Sequence, residues 1–268
     1  MIQSLLPLLL SLAMVSPTLS FADDGSGVDD GSQAGGKGLV LVAGATGGTG
    51  RIVVQQLIDA GYQVRAMVRN LDKGKTILGA DIALVKADVT AADTLTAAVA
   101  GVDYAISTIG TALGAKGNNT PENVDYLGTV ALIDAAEAAG VKKFVLVTSG
   151  GTTWRIHPLN WFGDNVLKWK RKSEIHLRQS GMTHVIVRPA GGLKDEPGNS
   201  KPIEFTQRDG IPSTITRADV ATVAVKALIF ADADNKTFEI QNRDDGPTAD
   251  QIDWQLVFQQ LSEQSDNF

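Results

Sequence analysis

The chain has 268 residues and no cysteine, which removes a disulfide framework, a thiolate metal site and a cysteine nucleophile while leaving the compartment open. It also lacks a basic surplus. Its 24 Lys and Arg stand against 30 Asp and Glu, a net charge of −6, so nucleic acid is not an expected partner. No metal site is expected, and no internal repeat occurs. A further absence is local: Met1 to Ala22 carries no charged side chain.

Within that uncharged stretch Leu5, Leu6, Leu8, Leu9, Leu10, Leu12, Ala13, Met14 and Val15 make a short apolar run, followed by Pro17 and by Ser20-Phe21-Ala22 before Asp23. This is the layout of a secretory signal peptide cleaved after Ala22, although no Lys or Arg precedes the run. An uncleaved anchor and an incorrectly assigned start are the competing readings. The run is short for a span and Pro7 and Pro17 interrupt it, so no stable membrane span is expected in the mature chain. Residues 23–37 are Gly, Ser and Asp with hardly an apolar side chain, a flexible linker. The expected location is exported (periplasmic or secreted) if the signal is real, and cytoplasmic otherwise.

From Gly38 to the end of the chain, apolar runs alternate with amphipathic stretches. Strands are predicted at 39–43, 63–68, 82–86, 104–108, 143–148, 184–188 and 237–241. Helices are predicted at 51–60, 91–99, 121–139, 164–179, 217–228 and 249–261. Gly61, Gly140 and Gly181 stand as helix stops, and Thr216/Asp219 and Thr248/Gln251 have capping-box spacing. Strands separated by helices imply βαβ units, hence an α/β, doubly wound, mostly parallel sheet of the Rossmann type over 38–268, with a small C-terminal substrate-side portion.

The first predicted strand runs directly into Gly44-Ala45-Thr46-Gly47-Gly48-Thr49-Gly50-Arg51, which opens the first helix. Gly44 permits the tight turn, Gly47 lets a pyrophosphate approach backbone N–H groups, and Gly50 lets helix pack on strand. The helix N-terminus then favours phosphate. The spacing is G-x-x-G-x-x-G, with Ala45 at the usual offset of a glycine. At the end of the second strand, where an NAD site places an acid for the ribose hydroxyl, stand Val68-Arg69-Asn70. Arg69 can pair bidentately with a 2′-phosphate and Arg51 can assist, so NADP is the expected cofactor. The plainer reading is that both arginines are solvated surface charges.

With this turn, Ala66-Met67-Val68-Arg69, Ala87-Asp88-Val89, Asn123-Val124-Asp125-Tyr126-Leu127-Gly128, Phe144 to Ser149, Val187 to Leu193, and Thr216-Arg217-Ala218-Asp219-Val220-Ala221 complete a pattern. The chain from about Gly38 to Leu261 resembles the atypical short-chain dehydrogenases/reductases with an NmrA-like, NAD(P)H-binding domain. The resemblance implies that Asp88 and Val89 flank the adenine and that Thr108 to Gly110 lie along the cofactor. It places Ser149 at the family's Ser, Lys170 at its Lys, and Asp125 where many atypical members carry Asp. The family's Tyr, four residues before the Lys, falls on Val166. Tyr62, Tyr104 and Tyr126 are followed four residues later by Ala66, Thr108 and Val130, so the pattern occurs nowhere else. Lys170 also belongs to a basic run with Lys168, Arg171 and Lys172, usually a solvated helix face, and Ser149 can serve merely as a strand-end cap.

The loop 150–163 carries Trp154, Arg155, His157, Trp161 and Phe162 at the edge where open α/β sheets bind ligands. Its aromatics suit a flat substrate pocket or simple packing, and His157 suits proton transfer or a structural role. Two functions follow. One is an NADPH-dependent reductase whose small-molecule acceptor, such as a quinone or flavin, needs no Tyr acid. The other is a non-catalytic NADP(H)-binding sensor or assembly scaffold. Export is in tension with both, because free NADPH is scarce outside the cytoplasm. The sequence leaves the oligomeric state open.

Overall fold

A computed structural model describes residues 37–112, 114–154, 156–208 and 213–263. The signal and linker readings for residues 1–36, and Arg155, lie outside the described residues. The first strand, β1 (Leu39–Ala43), leads through the glycine turn into α1 (Gly50–Asp59), and Gly61 ends that helix with φ +85°. Next come β2 (Gln63–Val68), α2 (Leu71–Leu78), β3 (Ala83–Lys86), α3 (Leu95–Val99) and β4 (Tyr104–Ser107). A wide π-helical stretch, Glu122–Gly128, precedes α4 (Thr129–Ala138). β5 (Lys143–Val147), α5 (Pro158–Phe162), α6 (Val166–Gln179), β6 (His184–Pro189), β7 (Gly192–Lys194), β8 (Ile203–Thr206) and β9 (Thr214–Thr216) follow. The chain closes with α7 (Arg217–Ile229), β10 (Lys236–Asn242) and α8 (Trp254–Gln259).

The main sheet has the order β3-β2-β1-β4-β5-β6-β10-β8, parallel except for the antiparallel β8–β10 pair, while β7 and β9 form a separate two-stranded ribbon. Strand order reverses between β1 and β4, so the crevice that binds ligands in such sheets opens there, at the strands' carboxyl ends. The period-2 alternation of β1 explains the two cores. Val40 and Val42 face the layer of α1, α7 and α8, packed with Val53, Leu57, Val223, Phe238 and Phe258. Leu41 and Ala43 face the layer of α3, α4 and α6, with Leu95, Leu132, Phe144 and Leu177.

Three expectations need correction. The helix predicted from Ala91 begins only at Leu95, after a 3-10 turn at Ala92–Thr94. The one predicted over 121–139 is π-helical through Gly128 before it becomes α. The helix predicted from Ala249 starts at Trp254, because the Asp253 carboxylate accepts from Leu256 N at 3.0 Å and fixes the first turn there.

Candidate functional site

The glycine turn is locked by its own backbone. Gly44 takes φ +81°, and its carbonyl accepts from Gly47 N at 2.9 Å. A Cβ on Gly50 would lie 2.1 Å from that same carbonyl oxygen, so any side chain there forces helix and strand apart. A Cβ on Gly47 would meet only the Gly44 oxygen at 3.1 Å, which leaves the outer side of the turn clear for a phosphate. Thr49 has its carbonyl bonded to Ile52 N and Val53 N, and Arg51 N reaches Gly47 O at 3.1 Å. Gly48 is covered from outside by Arg217 of α7, whose Cδ would be 2.7 Å from a Cβ there, and Arg217 in turn meets Asp195 at 3.0 Å.

A cavity of about 480 Å³ opens from this turn across the ends of β1 to β4. Gly44, Thr46, Gly47, Arg69, Asp88, Val89, Thr108 and Gly110 are in its wall. Thr108 Oγ1 bonds Ala43 O at 3.2 Å and abuts Gly44, making the floor of the crevice. Asp88 closes a small turn, its Oδ1 accepting from Thr90 N and Thr90 Oγ1 at 2.9 Å. At the far end Arg69 donates to Asn119 Oδ1 at 2.8 Å. Asn119 and Lys116 share that wall and were not anticipated, since they sit in the loop after β4 without a motif to mark them. Arg51 is exposed and lies outside this wall.

Asp125 and Lys170 are brought together. Lys170 Nζ stands 2.7 Å from Asp125 Oδ1, with side-chain exposures of 13% and 0%. Thr111 N and Thr111 Oγ1 donate to Asp125 Oδ2 at 3.2 and 2.5 Å. The wide π-helical turn carries Asp125, and such turns are rare and frequent at functional sites. A Cβ on Gly110 would be 3.3 Å from Lys170 Nζ and 3.5 Å from Asp125 Oδ1, so the pair abuts the cavity at Gly110. Val166 begins α6 one turn before Lys170. Ser149 is not joined to the pair: its Oγ donates to Gly150 O at 3.0 Å.

A second cavity, about 360 Å³, lies across the ends of β5, β6 and β10, with Trp154, His157, Leu159, Ala190, Glu239 and Ile240 in its wall. His157 Nδ1 accepts from Leu159 N at 3.1 Å, capping α5, which selects the tautomer with its proton on Nε2. Glu174 was missed by sequence reading. Fully buried, it accepts from Arg188 Nε and Nη2 at 3.1 and 2.6 Å and from Thr148 Oγ1 at 2.7 Å, holding the loop after β5 to α6 and β6.

These residues fit a nicotinamide dinucleotide: an open glycine turn, a cleft of suitable size at the switch point, and cations at both ends. A family model described as NAD(P)H-binding matches residues 44–229. An uncharacterised chloroplast protein of Arabidopsis thaliana is 36% identical over 247 residues, spanning 83% of this chain and 75% of that one. Sanguinarine reductase of Eschscholzia californica is 30% identical over 263 residues, 83% of this chain and 96% of that one. A solved structure from Bacillus halodurans, provisionally named an NAD-dependent epimerase/dehydratase, has a TM-score of 0.72 at 30% identity and covers 84% of this chain and 100% of that one. The chain belongs to the NAD(P)H-binding family of atypical, NmrA-like short-chain dehydrogenases/reductases.

Proposed function

We propose that this protein is an NADPH-dependent reductase whose acceptor takes its proton from water or a weak donor, a quinone or flavin rather than a simple ketone. The observation that carries this reading is the buried Asp125–Lys170 pair at the cavity wall beside Gly110. A buried ion pair is weak as a stabilising device, because desolvation offsets its attraction. Its place on the ligand cleft therefore argues for a ligand role: Lys170 presents a fixed cation to the ribose end of the cofactor, and Asp125 with Thr111 holds that cation in place. The bound dinucleotide would supply the hydride. Arg69, oriented by Asn119, and Lys116 beside it would receive a 2′-phosphate at the opposite end. The Trp154-lined cavity at the ends of β5 and β6 would take the acceptor. Ser149, in the segment between, is assigned to orient it.

Steady-state NADPH oxidation with quinones, flavins and ketones tests the proposal. Quinones or flavins should turn over and ketones hardly at all, and Arg69→Ala should weaken NADPH binding about 10–100-fold while leaving NADH alone. Equal affinity of the parent for NADH and NADPH would refute the NADP assignment. One observation favours a second reading: Val166 stands where catalytic members carry the proton-donating Tyr. Tight NADPH binding without oxidation by any acceptor would make the protein a sensor or assembly scaffold. Met1 to Ala22 is read as a targeting sequence, and the chloroplast relative sets an organelle beside export as its destination. A mature N-terminus at Asp23 is expected.

A further inference from the structure

Trp161 and Phe162 end α5 with 74% and 80% of their surface exposed, and Ile156, shortly before that helix, is 76% exposed. Single exposed apolar residues need no explanation, but three large ones within seven positions form a patch that marks a contact surface. Beside it lies a cavity of about 400 Å³ walled by Trp154, Trp161, Lys168, Arg171 and Lys172, with threonine and asparagine side chains and no carboxylate completing the wall. Lys168 Nζ stands 5.4 Å from the Trp169 ring centre, and Lys172 Nζ 4.6 Å from that ring and 4.9 Å from Tyr126. Between Ile156 and Lys172 the only acidic side chain is Asp164, in a chain whose net charge is −6. This segment is opposite in sign to the chain as a whole.

We infer that this face docks on a membrane surface rich in anionic lipid, with Trp161 and Phe162 entering the interface and the exposed Lys168 and Lys172 meeting headgroup phosphates. Aromatic side chains with basic neighbours are the chemistry of interfacial binding, the rings settling at headgroup level and the cations adding electrostatic attraction. A second copy of this chain is a poorer occupant, because a two-fold contact would set the same cations against each other. Among the described residues no helix is long and apolar enough to cross a membrane, so this attachment lies on the surface. The loop bearing Trp161 also supplies Trp154 and His157 to the 360 Å³ cavity, so docking would bring its mouth to the bilayer. The inference concerns where the protein sits and stands apart from the hydride chemistry.

Flotation of the full chain with phosphatidylcholine vesicles, with and without phosphatidylglycerol, tests it. Binding should require phosphatidylglycerol and weaken with salt. Lys168→Glu/Lys172→Glu should lower the partition coefficient by about fivefold or more for each lysine. Trp161→Ser/Phe162→Ser should lower it by more than about tenfold. Both variants should keep the parent's circular dichroism and NADPH affinity, which separates lost docking from lost folding. Equal binding to phosphatidylcholine alone, or parent-level binding by both variants, would overturn the inference and assign any attachment to the N-terminal apolar segment. Absence of vesicle binding would also overturn it, and self-association lost in the same variants would then assign the face to a second copy.

Discussion

Asp125→Asn separates a structural ion pair from a functional one. Asp125 Oδ1 faces Lys170 Nζ, and Oδ2 faces Thr111 N and Thr111 Oγ1, so donors stand on both sides of the carboxylate. An amide has one oxygen, and its NH₂ must meet a donor whichever way it is flipped. The Thr111 hydroxyl can rotate away, but the Thr111 backbone N–H and the ammonium cannot. The variant thus leaves a buried cation without its counter-charge and adds a donor–donor contact, at about 3–5 kcal/mol. Against a domain stability of about 5–15 kcal/mol, the protein should still fold. Its urea midpoint should fall by roughly 1–2 M. Replacing both partners by apolar groups, Asp125→Leu/Lys170→Met, removes the stranded charge and should recover most of that loss. The double variant should remain impaired in NADPH binding and in NADPH oxidation with menadione, since the cation at Gly110 is gone. Urea unfolding gives the first quantity and calorimetric titration with the oxidation assay gives the other two. A double variant that binds NADPH and turns over like the parent would show that the pair only holds α6 to the π-helical turn.

Gly50→Ala should abolish cofactor binding and lower stability by more than about 2 kcal/mol, because its Cβ would collide with backbone rather than a movable side chain. Gly47→Val should keep the fold and lose NADPH binding, and normal binding by that variant in calorimetry would put the phosphates elsewhere. Val166→Tyr should raise ketone reduction by about tenfold or more if Lys170 faces the nicotinamide ribose, and rapid ketone reduction by the parent would show that another group, such as His157, supplies the proton. The Asp103 carboxyl lies below its ordinary value, chiefly through the hydrogen bond from Lys142 and then that from Leu39 N. With a lowered folded pKa, its stabilisation is present above the unfolded carboxylate value and is lost as pH falls through the folded one. Asp103→Asn should therefore lower the melting temperature modestly at pH 7, and the difference from the parent should shrink as pH falls below the ordinary carboxylate value. A difference unchanged with pH would refute this account.

The parallel strands were legible where burial on both faces writes them as continuous apolar runs, and 39–43 fell on β1 at both ends. α2 was not. Its sequence, LDKGKTIL, carries Gly74 in mid-helix and reads as a break. In the structure a Cβ on Gly74 would stand 3.0 Å from Leu84 Cδ1 and 3.2 Å from Val68, so the glycine is there for close packing on the sheet. The C-terminal helix failed for a different reason. Thr248 and Gln251 do bond to each other, Thr248 N to Gln251 Oε1 at 3.1 Å, but they close a turn. The apolar 3.6-residue pattern starts only at Trp254, behind the competing cap at Asp253.

For the site, the local motifs were readable and the partners across the fold were not. The glycine turn and Arg69 are adjacent to strand ends, so chain position alone set them at the cleft. Asn119 beside Arg69, and Arg188 beside Glu174, meet through tertiary packing that no spacing encodes. Lys170 lies between these cases. As a member of a basic run it resembles a solvated face, yet a helix turns about 100° per residue, which sets Lys168 and Lys172 on one side and Lys170 about 160° from Lys168. The structure sorts them that way. Lys168 and Lys172 are exposed over aromatic rings, Arg171 turns to Glu174 at 3.5 Å, and Lys170 points inward to Asp125. The run therefore divides between two surfaces, with Lys168 and Lys172 outside on the face proposed to dock and Lys170 inside beside Asp125 as the proposed cofactor cation, and substitutions at Lys168 and Lys170 should act on different measurements.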